Sequence, residues 1–338
     1  MAVLVTGGAG YIGSHTAVAL HEAGRDVVLI DNLVNSSPAA VDAIRALTTP
    51  DLAFVEGDLR HREQLDAVFE AYDIDEVIHF AAHKSVGQSV SAPLEYFDNN
   101  LGATIGVADA MVRHGVRKLV FSSSCTVYGQ PDVIPVTERA PIRAESPYGW
   151  TKVMSEQILR DAAAAEDLDV ALLRYFNPVG AHESGTLGED PNGVPDNLAP
   201  VVMAVAVGRL DKIGVFGGDY GTPDGTCVRD YVHVVDLAEG HVAALDALDT
   251  TLRGTCTAIN LGTGIGSSVL EVIAAAEAAV GETIAYEIVD RRPGDIEQIY
   301  ADPSLAAEVL GWRSQRDLAA MLRDHWTWQS MHPDGFAG

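Results

Sequence analysis

The chain has 338 residues and a formal net charge of −26. That length suits one large α/β unit or two modest domains with a sizeable core. Its acidity repels phosphate backbones, which argues against a nucleic-acid partner and obliges any phosphate-bearing ligand to be held by local positive features.

The first apolar run, Ala2–Thr6, reads as a buried strand. No basic segment precedes it, so it is no signal peptide, and no apolar run is long enough to cross a bilayer. Further strands are expected at Asp26–Ile30, Leu52–Glu56, Glu76–Ala81, Lys118–Ser122 and Asp169–Tyr175. Helical patterns fill the gaps: Tyr11–Ala23 stopped by Gly24, His61–Ala71, Pro93–His114 stopped by Gly115, and Pro147–Ala165. This alternation predicts an α/β protein with a Rossmann-type, doubly wound parallel sheet and right-handed crossovers. Asn177–Asn197, rich in Gly, Pro, Asp and Glu, breaks the alternation as a functional loop would. Beyond it come a helix near Val234–Leu248, a strand near Thr257–Leu261, a helix near Ser268–Val280, a strand near Thr283–Val289 and a terminal helix from Arg316. The expected division is residues 1–176 plus 230–262 as a dinucleotide-binding domain, with 177–229 and 263–338 as a smaller, interleaved substrate lobe. Cys125, Cys227 and Cys256 have no Cys-x-x-Cys spacing, so neither a disulfide framework nor a metal site is expected, and the cytoplasm is the default compartment.

Gly7, Gly10 and Gly13 follow the first strand and open the first helix. Glycines there make the tight turn, let the backbone approach a pyrophosphate, and let helix and strand pack closely, while the helix N-terminus offers N–H groups to the phosphates. Asp31 ends the second strand, 18 residues after Gly13. A carboxylate there bonds a ribose 2′-hydroxyl and repels a 2′-phosphate, which selects NAD over NADP. Asp58 ends the third strand and reads either as an adenine-facing group or as a helix cap.

Tyr148 and Lys152 stand four apart at a predicted helix start, which puts both on one face. A free tyrosine, with pKa about 10, is a poor base at neutral pH. A nearby ammonium favours its phenolate, which can then take the proton of an alcohol while hydride leaves the same carbon. The run Ser122-Ser123-Ser124 lies at the C-terminal edge of the fifth strand, where open α/β sheets bind ligands. For Ser122 and Ser123 a polar strand end is as good a reading, with Ser122 inclined toward the cofactor.

Together with Phe80-Ala81-Ala82-His83-Lys84-Ser85-Val86-Gly87, Asn99-Asn100, Leu173 to Ala181, Arg229 to Val234, Asn260 to Gly264 and Arg291-Arg292-Pro293-Gly294-Asp295, these segments resemble the extended short-chain dehydrogenase/reductase family over nearly the whole chain. Within that family they are most similar to the UDP-glucose 4-epimerases. The resemblance implies NAD-dependent interconversion of UDP-galactose and UDP-glucose by transient oxidation at sugar C4, with Ser124, Tyr148 and Lys152 as the catalytic group. It implies NAD contacts from Tyr11 and Ile12 beside the glycines, from Asn32 and Asn35 beside Asp31, and from Leu59 beside Asp58. Phe80, Ala81, Lys84, Asn99, Ser122 and Tyr175 complete that side. For the UDP-sugar it implies Lys84, Asn177, Asn197, Leu198, Phe216, Arg229, Tyr231, Arg292 and Asp295; the two arginines suit a pyrophosphate by bidentate bonding. Ile299 falls at a gate position that limits sugar size; its intermediate bulk leaves UDP-N-acetylhexosamines open as further substrates, with a lean toward non-acetylated sugars. A homodimer through the helices near Pro93–His114 and Pro147–Ala165 is also implied.

Two features bear on rivals. Nucleotide-sugar 4,6-dehydratases carry an Asp-Glu pair after a Thr, where this chain has Ser124-Cys125-Thr126, so dehydration is disfavoured. Non-catalytic NAD-sensing relatives commonly lose the Tyr or the Lys, and both are present here.

Overall fold

The computed structural model describes residues 1–193, 195, 197–292 and 294–337. The first half runs β1 (Ala2–Thr6), α1 (Tyr11–Glu22), β2 (Asp26–Asp31), α2 (Pro38–Leu47), β3 (Ala53–Glu56), α3 (Arg62–Ala71) and β4 (Ile74–His79). It continues through α4 (Val86–Ser91), α5 (Pro93–His114), β5 (Lys118–Ser124), α6 (Pro147–Glu166) and β6 (Asp169–Tyr175). The second half begins with β7 (Asn177–Val179), α7 (Leu198–Ala206), β8 (Ile213–Phe216), β9 (Val228–His233), α8 (Val234–Leu248) and β10 (Cys256–Leu261). It ends with β11 (Gly266–Ser268), α9 (Val269–Val280), β12 (Tyr286–Val289), β13 (Gln298–Ile299), α10 (Ser304–Val309) and α11 (Leu318–Met331).

The larger sheet is wholly parallel, in the order β10-β6-β5-β4-β1-β2-β3. Successive residues of a strand point to opposite faces. Val3, Val5, Leu29, Ile78, Val120 and Leu173 therefore meet Leu20 of α1 and Leu237, Ala244 and Leu245 of α8 on one face. Leu4, Val28, Val77, Leu119 and Leu172 meet Leu65, Val107, Met111 and Leu159 of α3, α5 and α6 on the other. Burial on both faces is why these strands read as unbroken apolar runs. The chain winds outward from β1 in both directions, so the crevice between β1 and β4 is the switch point where such sheets bind ligands.

The strands after β6 build something separate. β9 pairs with β7, β11 and β13, while β12 pairs with β8. Their core joins Val202, Met203, Ile213, Val215, Val272, Ile273 and Leu322. The N-terminus of α9 carries a full capping box: Ser268 accepts from the Glu271 N–H and Glu271 from the Ser268 N–H.

The structure departs from the sequence expectations in several places: β5 runs two residues further, to Ser124, and the terminal helix starts at Leu318 rather than Arg316. β4 ends at His79, two residues early, which leaves Phe80 and Ala81 on the loop at its C-terminal end. α2 was not expected, although Ser37 at the N-cap and Pro38 in the first turn are its start signals. The strand expected from Thr283 begins at Tyr286. No helix among the described residues is long and apolar enough to cross a membrane.

Candidate active site

The C-terminal ends of β1, β2, β4, β5 and β6 open into one cleft of about 1080 Å³. Its floor is the glycine turn. Gly7 holds a φ of +68°, and a Cβ on it would lie 2.8 Å from the Ala81 nitrogen. A Cβ on Gly13 would lie 2.3 Å from the Gly7 carbonyl oxygen. Only glycine satisfies both contacts, so β1, α1 and the loop after β4 close to backbone distance around the turn. Gly10 caps α1, whose first residues Tyr11, Ile12 and Gly13 line the cleft.

The Asp31 carboxylate accepts from the Ala9 N–H at 3.1 Å, the Leu33 N–H at 2.9 Å and Ser36 Oγ at 2.9 Å. It thereby ties the end of β2 to the glycine turn. Asn32, Asn35 and Leu59 line the cleft beside it. Asp58 also faces the cleft, but its carboxylate is bound to Arg60 at 2.7 Å, and the Arg60 hydrogen bond holds it down at about 2. The helix-cap reading of Asp58 fails, because the N-cap of α3 is His61. Tyr11 donates to the Gly180 carbonyl at 2.6 Å and so joins the turn to the segment after β7.

Ser124, Tyr148 and Lys152 converge on the middle of the cleft. Ser146 caps α6 by accepting from the Gly149 N–H, which fixes the helix start where Tyr148 sits. Lys152, buried in α6, donates to the Ser122 carbonyl at 2.7 Å and stands 5.8 Å from the Tyr148 ring centroid. Burial pushes the Tyr148 phenol up, and the neighbouring Ser124 hydroxyl pulls it back. Burial also lowers the Lys152 ammonium to about 7, with Glu156 opposing that fall. Both groups therefore lean toward neutrality, and charge on either depends on its neighbours. Tyr175 donates to Ser122 Oγ, while Ser123 turns away and donates to Glu156 at 2.6 Å. Of the two ambiguous serines, Ser122 thus lines the cleft and Ser123 is part of the protein interior.

Phe80, Ala81, Lys84, Asn99 and Tyr175 form the adjoining wall, and Asn177, Asn197, Arg229, Arg292, Asp295 and Ile299 the far end. Arg292 is anchored to Asp295 at 2.7 Å and lies over the Phe216 ring at 5.2 Å. Pro293, which follows Arg292 in the same segment, lies outside the described residues, as do Val194 and Asp196 of the loop. Three expected contacts stand off the cleft wall. Phe216 is behind Arg292, Leu198 packs toward the α7 core, and Tyr231 is buried in β9 opposite Asn177. Ile299 is also buried, packed with Val127 and Phe176. Among the described residues no group of three or more His, Cys, Asp or Glu could hold a metal ion.

Two participants escaped the sequence reading. Glu189 accepts from Lys84 Nζ at 2.6 Å and holds that lysine against the cleft wall. Its position in an irregular loop gives no periodic signal. Glu156 is different, because its spacing of four from Lys152 on a helix was readable.

The model of the NAD-dependent epimerase/dehydratase family matches residues 3–262. The chain is 54% identical to a UDP-glucose 4-epimerase of Bacillus subtilis, over 99% of both proteins. It superposes on a Bifidobacterium longum UDP-glucose 4-epimerase, solved in complex with NAD+ and UDP, with a TM-score of 0.95, 50% identity, and coverage of 99% and 100% of the two chains. The chain belongs to the UDP-glucose 4-epimerase family. A UDP-Glc/GlcNAc 4-epimerase of Campylobacter jejuni is similar at 36% identity and a TM-score of 0.84, covering 97% of this chain and 99% of that one. Membership of the epimerase family bears out the resemblance and the doubly wound fold, and the family match runs from β1 to the end of β10.

Proposed function

We propose that the protein interconverts UDP-galactose and UDP-glucose with a resident NAD. The observation that supports this most directly is the meeting of Ser124, Tyr148 and Lys152 at the switch-point cleft beside the glycine turn. NAD fits the residues present: the turn leaves no room for a Cβ at Gly7 or Gly13, and Asp31 presents a carboxylate at the end of β2. When bound there, NAD supplies a hydride acceptor and donor for sugar C4 and a positive ring charge. Tyr11, Ile12, Asn32, Asn35, Asp58 and Leu59 would flank its adenosine half, and Phe80, Ala81, Lys84, Asn99, Ser122 and Tyr175 its other half.

Tyr148 takes the proton of the sugar 4-hydroxyl and later returns it. Lys152 favours the phenolate by its charge, and Ser124 aligns the hydroxyl. Arg229 and Arg292 anchor the pyrophosphate, with Lys84, Asn177, Asn197, Asp295 and Ile299 lining the UDP-sugar pocket and Leu198, Phe216 and Tyr231 supporting it from behind. In this reading residues 1–176 with 230–262 carry the dinucleotide, and 177–229 with 263–338 the UDP-sugar. Purified protein given UDP-galactose, without added NAD, is expected to form UDP-glucose. A 4-keto-6-deoxy product would instead establish a dehydratase, and no turnover would leave an NAD-binding regulator. UDP-N-acetylgalactosamine is expected to turn over more slowly, because buried Ile299 narrows the far end.

A homodimer is part of the proposal. Val90, Leu94, Ile105, Trp150 and Met154 on α4, α5 and α6 are all exposed, which supports a partner surface on this side. Light scattering is expected to give twice the 35.8 kDa of one chain, and a single-chain mass refutes the dimer. A cytoplasmic location, supported by three free cysteines, completes the reading.

A further inference from the structure

Glu156 stands one helical turn beyond Lys152 on α6 and is only 4% exposed. Its Oε1 accepts from Ser123 Oγ at 2.6 Å and from Arg174 Nε at 2.8 Å. Its Oε2 accepts from Arg174 Nη2 at 2.5 Å. Arg174 is equally buried and lies opposite Ser123 in the β5–β6 register. It donates onward to Tyr128 Oη at 3.1 Å and to the Glu138 carbonyl at 3.3 Å. One carboxylate thus joins α6 to the ends of both β5 and β6. Ser123 lies between the two serines of the site: the Ser122 carbonyl receives Lys152, and Ser124 faces Tyr148.

A buried ion pair contributes little net stability compared with apolar residues of the same size, so its presence behind the catalytic helix points beyond packing. We infer that Glu156 is a positioning residue for Lys152. It sets the register of α6 against the serine strand through Ser123 and Arg174, and it keeps an anion one turn from the ammonium. This rests on the reading of Tyr148 and Lys152 given above.

The surroundings of Lys152 single out that anion. Tyr148 and Glu156 face it from its own helix, and Phe121, Ser122 and Ser123 lie on β5. His79 of β4 is buried and held neutral, its pKa lowered to about 3. Tyr175 of β6 and Tyr96 of α5 face the Tyr148 phenol, and burial raises the Tyr175 hydroxyl, keeping it protonated. Arg174 lies behind Glu156, and half-buried Arg160, one further turn along α6, reaches Glu156 Oε2 at 3.5 Å. Glu156 is therefore the anion that sustains the Lys152 charge, and without it the ammonium loses its proton at lower pH.

The test is the pH dependence of kcat/KM for UDP-galactose in the NAD-containing enzyme. Activity that needs a charged Lys152 falls as pH rises through its pKa. Glu156→Gln is expected to bring that alkaline limb down by about one pH unit, roughly a tenfold loss at pH values on the limb. Glu156→Asp, which keeps the charge, is expected to restore the limb even where the overall rate stays low. If Glu156→Gln fails to fold, the double variant Glu156→Gln/Arg174→Gln removes both charges and leaves neither buried alone, and a smaller move in the same downward direction is expected, because the nearer anion outweighs the cation behind it. A limb at the wild-type position in whichever of these folds, with activity lowered equally at every pH, overturns the inference and leaves Glu156 a structural residue. Failure of the underlying reading is separate: it appears as absent turnover in the wild-type protein or as wild-type turnover in Lys152→Met.

Discussion

Tyr148→Phe is expected to lower kcat for UDP-galactose about 10²- to 10⁴-fold while leaving bound NAD in place. The substitution removes one oxygen and little else. The ring persists, so its contact with Lys152 persists, and α6 keeps its Ser146 cap. Lys152 still donates to the Ser122 carbonyl, and the glycine turn lies on other elements. What disappears is the hydroxyl that faces Ser124 and moves the proton. The loss should fall on kcat with KM nearly unchanged, since the arginines proposed to hold the pyrophosphate are untouched. NAD released on denaturation, measured beside the kinetics, separates this from loss of cofactor. Wild-type turnover in the variant removes Tyr148 as the base.

Gly13→Ala is expected to yield protein that purifies with little or no NAD. The added methyl would lie 2.3 Å from the Gly7 carbonyl oxygen, and its other neighbours are also backbone atoms. Relief requires α1 to move away from β1, because no side chain is free to rotate. Gly7 has little latitude, since the Ala81 backbone leaves no room for even a Cβ on it and its carbonyl accepts from the Gly10 N–H at 3.1 Å. Overpacking of this kind costs about 1–3 kcal/mol, which a sheet buried on both faces can bear. The fold should therefore survive with a lowered melting temperature. The phosphate-binding N–H groups at the start of α1 should not keep their aim. The decisive number is moles of NAD per mole of folded chain, and a value equal to wild type refutes the role given to this turn.

How far the sequence could be read followed physical cause. The strands of the parallel sheet were legible because burial on both faces leaves continuous apolar runs, and α1, α5 and α6 because glycine or proline marks their ends. The glycine turn, Asp31 and the Tyr148–Lys152 pair were legible because their spacing is local. β7, β11 and β13 were not, since two or three residues cannot display a period. The Lys84–Glu189 contact joins residues far apart in the chain through a loop without periodicity, so only the folded chain reveals it. Phe80 and Ala81 were expected within a strand, yet sit on the loop beyond it because β4 ends at His79.

The last strand of the large sheet has a consequence for how the chain comes to be made. β10 pairs with β6 from Cys256 to Leu261, but β6 ends at Tyr175. During synthesis six strands emerge and can pair before the ribosome reaches the seventh. Through that interval β6 presents an unpaired edge with the apolar run Val170–Leu173 at its centre, the kind of surface to which another nascent chain can add itself. The intervening segment must fold back over a long loop before the edge is sealed, and closure of so distant a pairing is slow. The nascent protein is thus most exposed to aggregation between Tyr175 and Cys256, a stretch that also supplies Asn177, Asn197 and Arg229 to the cleft.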